Sequence, residues 1–68
     1  MIGFRDLRRR RFMTQKDLAE KVGVAYQTIQ TWENGTAQPR LRHIPRLAEV
    51  LGVPAEELLT ALEGKVAA

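Results

Sequence analysis

The stretch TQKDLAEKVGVAYQTIQTWENG, residues 14–35, decides how the rest of the chain is read. Thr14 opens a helix, because Asp17 stands three residues on, where an acidic side chain can reach back to the Thr14 amide. Leu18, Ala19 and Val22 then form an inward stripe at helical spacing. Gly23 ends the helix, since glycine takes the left-handed conformation of a helix end without steric cost. A second helix covers about Tyr26–Asn34, with Ile29 and Trp32 facing in and Gly35 as its stop. Two helices joined by so short a turn cross closely, so the contact residue on the first must be small, as Ala19 is. The interior must also be filled from both sides, by Leu18, Val22, Val24, Ile29 and Trp32. A lone Ala or Gly carries no information, but seven coordinated positions define a helix-turn-helix.

Outward from that stretch, Gly and Pro divide the chain cleanly, with no repeat and no low-complexity tract. A first helix runs from about Ile2 to Arg11, with Phe4, Leu7 and Arg11 at helical spacing. Thr36-Ala37-Gln38-Pro39-Arg40 reads as a loop. Pro45, comfortable only in a first turn, limits the start of a fourth helix to Arg42 or His43, and Gly52 follows its end at Leu51. Pro54 opens a fifth, where Glu56 and Glu57 suit the positive end of the dipole and Leu58, Leu59 and Leu62 give an apolar side before Gly64. The expected class is all-α, a five-helix domain over residues 1–68.

Sixty-eight residues make one domain and no more. So short a chain buries only about 60% of its unfolded surface, so its stability is marginal or shared with a partner. Cysteine is absent, which removes disulfides and thiolate metal sites and fits a reducing compartment. The single histidine, His43, and acidic residues placed mostly at helix starts leave no catalytic set and no metal site, so no enzyme and no cofactor is expected. Apolar runs of only a few residues exclude a membrane span, and the expected location is cytoplasmic, at the nucleoid. Charge is divided along the chain. Residues 1–46 carry ten Lys or Arg against Asp6, Asp17, Glu20 and Glu33, a balance of +6, while residues 47–68 carry Lys65 against four glutamates, a balance of −3. One half is suited to a polyanion, the other to solvent or a second subunit.

The motif residues resemble those of the lambda-repressor-like (Xre/Cro) family of DNA-binding domains. The match runs through Leu7-Arg8, Thr14-Gln15, Leu18-Ala19, Gly23-Val24, Ile29, Trp32-Glu33, Gly35 and Pro39, then Leu47-Ala48 and Leu51-Gly52-Val53. It spans about residues 4–62, nearly the whole chain. The resemblance implies a regulator of transcription, a repressor by type, whose third helix lies in the major groove of double-stranded DNA. It places base contacts at Tyr26, Gln27, Gln30 and Thr31. The chemistry of these side chains is suitable, since a glutamine amide can pair with adenine N6 and N7, and a threonine methyl or a tyrosine ring can meet a thymine methyl. Phosphate contacts are expected from Thr14 and Gln15 at the start of the second helix, where free amides face outward. Asn34, Thr36 and Arg40 are expected to add contacts in and after the loop, and Arg10, beside Arg9 and Arg11, less specific charge. Arg8 and Glu33 are expected, on the same resemblance, to form a structural ion pair between the first and third helices.

Three positions depart from the family's pattern: Ala25 where Ser or Thr usually caps the recognition helix, Phe12 where glycine is common, and Arg40 in place of a small cap. One recognition helix covers few base pairs, and such proteins commonly pair as two-fold dimers on half-sites about 34–36 Å apart. The candidate dimer surface is Val53, Leu58, Leu59 and Leu62, with Val66, in segment 52–66; of Leu58 and Leu59, at least one should be core. No small-molecule ligand and no membrane partner is expected. A DNA-binding antitoxin or restriction-modification controller would use the same residues. A coactivator-type interaction module that keeps the fold without DNA is the rival from another class.

Overall fold

Five α-helices and one turn of 3-10 helix make up residues 3–63, which the computed structural model describes. They are α1 (Phe4–Arg10), α2 (Gln15–Val22), α3 (Tyr26–Asn34), the 3-10 turn Leu41–His43, α4 (Ile44–Leu51) and α5 (Ala55–Glu63). No strand occurs among the described residues, so the all-α expectation holds. Ile2, Gly64 and Val66 lie outside the described residues.

Local chemistry sets the boundaries. The Asp6 carboxylate accepts from the Gly3 amide at 3.0 Å at the head of α1. At α2, the Asp17 amide donates to the Thr14 hydroxyl and the Thr14 amide to the Asp17 carboxylate, each at 3.0 Å, a reciprocal cap. Gly23 closes α2 at φ 87°, its amide bonded to the Ala19 carbonyl at 2.8 Å. Ala25 has no side-chain oxygen, and α3 starts without a side-chain cap. Pro45 occupies the first turn of α4, as its missing amide requires. Arg11, expected in line with Phe4 and Leu7, instead leaves α1, stays exposed and lays its guanidinium beside Gly52. Phe12 follows it at φ 57°, the one non-glycine residue with positive φ among those described.

Every α-helix contributes to one core. Phe4 and Leu7 meet Leu18 and Ala19, Ile29 and Trp32, then Ile44, Leu47, Ala48 and Leu51, with Leu58 and Ala61 closing it. The Trp32 indole sits edge-on to Phe4, with ring centroids 6.3 Å apart, and tilts against His43 at 5.4 Å. Ala19 is buried at the α2–α3 crossing, where its size permits the close approach. Val22 and Val24, expected as full core members, are half-buried at the margin. Side-chain ties reinforce the packing: Arg46 of α4 donates to the Lys21 carbonyl in the last turn of α2 (3.0 Å), and Gln38 of the loop donates to the Leu62 carbonyl (3.1 Å).

The dimer expectation needs one correction. Leu58 is 0% exposed and belongs to the core, so it offers nothing to a second copy. Adjacent residues on a helix point about 100° apart, which turns Leu59 outward at 41% exposed. Val53 and Leu62 are half-buried against the core.

Candidate nucleic-acid interface

Helix α3 has two faces with opposite character. Ile29 and Trp32 lock it into the core, while Tyr26 and Gln27 are exposed and Gln30 and Thr31 half-exposed along its other edge. All four expected base-contact positions therefore share one edge. Their hydrogen bonds differ. Gln30 Nε2 donates to the Tyr26 hydroxyl, one turn earlier, at 3.2 Å. The Thr31 hydroxyl donates to the Gln27 carbonyl at 2.8 Å, which spends its proton on the backbone and leaves its methyl and oxygen lone pairs for a partner. Among the described residues, the Gln27 amide makes no hydrogen bond, so its donor and acceptor are both open.

The start of α2 flanks this edge. Thr14 is exposed and serves as the cap, and the first amides of the helix have no carbonyl one turn back to receive them. Gln15, the residue expected to grip phosphate, is half-buried, and its Nε2 donates to Glu33 Oε1 at 2.9 Å. One of its amide hydrogens is thus fixed to α3, and the other remains. Lys16, which no motif position singles out, places its Nζ 5.8 Å from the centre of the Tyr26 ring, within reach of a cation–π attraction. Nothing in the spacing of Lys16 and Tyr26 announces that contact, because it depends on how the two helices cross.

Behind the edge stands the ion pair. Arg8 donates from Nε and Nη2 to the two carboxylate oxygens of Glu33, and from Nη1 to the Met13 carbonyl at 2.8 Å. The Glu33 side chain is 1% exposed and Arg5 Nε lies 3.7 Å from it. Burial would raise the Glu33 carboxyl, but hydrogen bonds from Arg8 and Gln15 and the charges of Arg8 and Arg5 outweigh it, holding the group below the ordinary glutamate value. The exposed Asp17 carboxyl is lowered too, by its backbone and side-chain bonds with Thr14. The Arg8–Glu33 pair therefore ties α1, the turn after it, the head of α2 and the end of α3.

On the far side, Asn34 at the end of α3 and Thr36 and Arg40 in the loop that follows are all exposed. Arg40 lines a concavity of about 300 Å³ together with Thr28, Thr31, Trp32, Arg42 and His43. Arg42 and His43 join the basic lip only because the 3-10 turn folds them back toward α3; their sequence neighbourhood carries no such signal. Arg10 is turned elsewhere, with Nη2 3.7 Å from Glu57 on α5. Among the described residues no three His, Cys, Asp or Glu side chains gather as a metal site would need, and no helix is long and apolar enough to cross a membrane.

A small helical domain with a tightly crossed α2–α3 pair and an open polar edge on α3 is a helix-turn-helix domain. The comparisons agree, for a helix-turn-helix family model matches residues 4–58, and the chain belongs to this lambda-repressor-like (Xre) family of DNA-binding, non-enzymatic domains. Among its relatives is a transcriptional repressor, RstR, of the cryptic phage CTXphi in Vibrio cholerae, 37% identical over 62 residues that cover 91% of this chain. This chain spans only 56% of that repressor's length. Two archaeal HTH-type transcriptional regulators are each 41% identical. The one from Archaeoglobus fulgidus aligns over 54 residues, 79% of this chain and 77% of its own, and the one from Methanocaldococcus jannaschii over 46, 68% and 70%.

Proposed function

We propose that this protein regulates transcription by binding double-stranded DNA site-specifically, with α3 in the major groove and two copies on a two-fold operator. The observation that carries the reading is the edge Tyr26–Thr31, polar and open in front and braced by Ile29 and Trp32 behind. Such a rigid helix edge matches the width of the major groove. Gln27, whose amide is open, reads a base; Thr14, Gln15, Asn34, Thr36 and Arg40 hold phosphates on either side, and Arg10 adds charge at longer range. Relatives named as regulators, one of them a repressor, support repression as the mode. Val53, Leu59 and Leu62 are the remaining candidates for the contact between copies.

Binding to a selected operator should weaken steeply with salt, because each phosphate contact releases counterions. Gln27→Ala should lose discrimination at one base step, by about 1–3 kcal/mol, while Arg40→Ala should weaken all sequences alike. Titration of each variant against operator and scrambled duplexes separates the two effects. Equal losses on both duplexes for Gln27→Ala would remove the base-reading role. A single copy on the operator in sedimentation would remove the dimer.

A further inference from the structure

Of the residues along the α3 edge, Tyr26 is held differently from the rest. It opens α3 and carries the largest side chain there, yet 37% of it remains exposed. Two neighbours fix it: Gln30 Nε2 donates to its hydroxyl at 3.2 Å, and Lys16 Nζ lies 5.8 Å from its ring centre. The first neighbour is on the same helix, the second on α2. The ring is therefore registered to the helix pair, and the hydroxyl gives Gln30 a fixed anchor.

We infer that Tyr26 is a positioning residue for Gln30, and that the pair reads one adenine-containing base step as a unit. This rests on the proposed reading of DNA by α3 and names which part of the site sets its specificity. A free glutamine side chain samples many rotamers, and ordering it on contact with a base carries an entropic cost. The bond to Tyr26 orders the amide beforehand. It occupies one Nε2 hydrogen and leaves the other together with Oε1: one donor and one acceptor, which is what adenine N7 and N6 require in the major groove. Gln27 has no such anchor among the described residues, so the two glutamines that look equivalent in sequence are unequal in preparation.

The experiment is a double-mutant cycle on DNA. An operator is first selected from random duplexes with the unaltered protein, and each of its base pairs is then changed in turn. Tyr26→Phe keeps the ring and its lysine neighbour but removes the oxygen that holds Gln30. The expected result is a loss of discrimination at the same base pair that Gln30→Ala affects, by about three- to tenfold, the worth of one hydrogen bond. In the Gln30→Ala background Tyr26→Phe should change nothing further, and the melting temperatures of both variants should match the parent. Additive losses, or losses at different base pairs, overturn the proposal, since Tyr26 then touches a base or phosphate on its own account. A uniform loss on every sequence overturns it as well. Failure of the unaltered protein to select any sequence would instead remove the DNA reading beneath it.

Discussion

The two helices of the motif begin in opposite ways. Helix α2 starts with two reciprocal bonds between Thr14 and Asp17, so its first turn is satisfied by residues within it. Helix α3 starts at Ala25 with no side-chain bond at all and holds its shape through what lies further along, Ile29, Trp32 and the bonds to Glu33. One helix is secured at its head and the other at its waist and tail. The difference has a use if α3 meets DNA with its first turn: a head left without a cap keeps its outward amides open, while the buried side fixes the angle. It also makes α3 dependent on tertiary contacts in a way that α2 is not.

The largest test of that dependence removes the tail anchor. Glu33→Ala leaves Arg8 nearly buried without its carboxylate and should cost about 3–5 kcal/mol, a large share of the stability of a domain this size. Chemical denaturation measures it, and a loss below about 1 kcal/mol would show that α3 needs no such tie. The same group predicts the acid limb. The folded Glu33 carboxyl lies below its ordinary value, so its contribution is present above the unfolded carboxylate range and is lost as pH falls through the lowered folded value. Asp17 acts in the same direction. Stability should therefore drop on acidification below the ordinary carboxylate range, and Glu33→Gln should flatten that drop. An unchanged acid limb in Glu33→Gln would assign the sensitivity elsewhere.

Smaller and more pointed is an exchange of heads. Thr14→Ala should destabilise by about 0.5–2 kcal/mol, because α2 loses a cap that it has. Ala25→Ser should stabilise by a comparable or smaller amount, because α3 gains a cap that it lacks. Thermal melts of both variants decide the matter. If Ala25→Ser does nothing, the first turn of α3 is already satisfied and the contrast between the two helices disappears.

The parts of the molecule that could be read from sequence are those governed by neighbours within one turn. Thr14 with Asp17, Gly23, Gly35, Pro45 and Gly52 fixed the element ends, and the helical spacing of Leu18, Ile29, Trp32 and Leu47 fixed the inward faces. The parts that could not are those set by how helices cross. Gln15 and Glu33 are 18 residues apart, and Arg10 and Glu57 stand on helices at opposite ends of the chain, so no periodicity brings either pair together. The same limit applies to Leu58 and Leu59. A helix with two adjacent leucines admits either one as its inward residue, and only the position of α5 against α1 and α4 chose Leu58. In the candidate interface, the exposed edge of α3 followed from local pattern, whereas the anchoring of Tyr26 by Lys16 did not.

The smallest effect concerns a turn rather than a helix head. Phe12 is 95% exposed and sits at φ 57°, so its ring contributes almost no burial while its backbone adopts a conformation that L-residues resist. Glycine would relieve a strain of about 1–2 kcal/mol but give back roughly 0.5–1 kcal/mol through the greater freedom of the unfolded chain. Phe12→Gly should thus stabilise by up to about 1.5 kcal/mol, against the usual trend for replacing a large apolar residue. A rise in melting temperature with unchanged operator affinity is the expected result. A fall would mean that the phenyl ring makes a contact worth more than the strain, so that the turn between α1 and α2, like the waist and tail of α3, is held by tertiary packing.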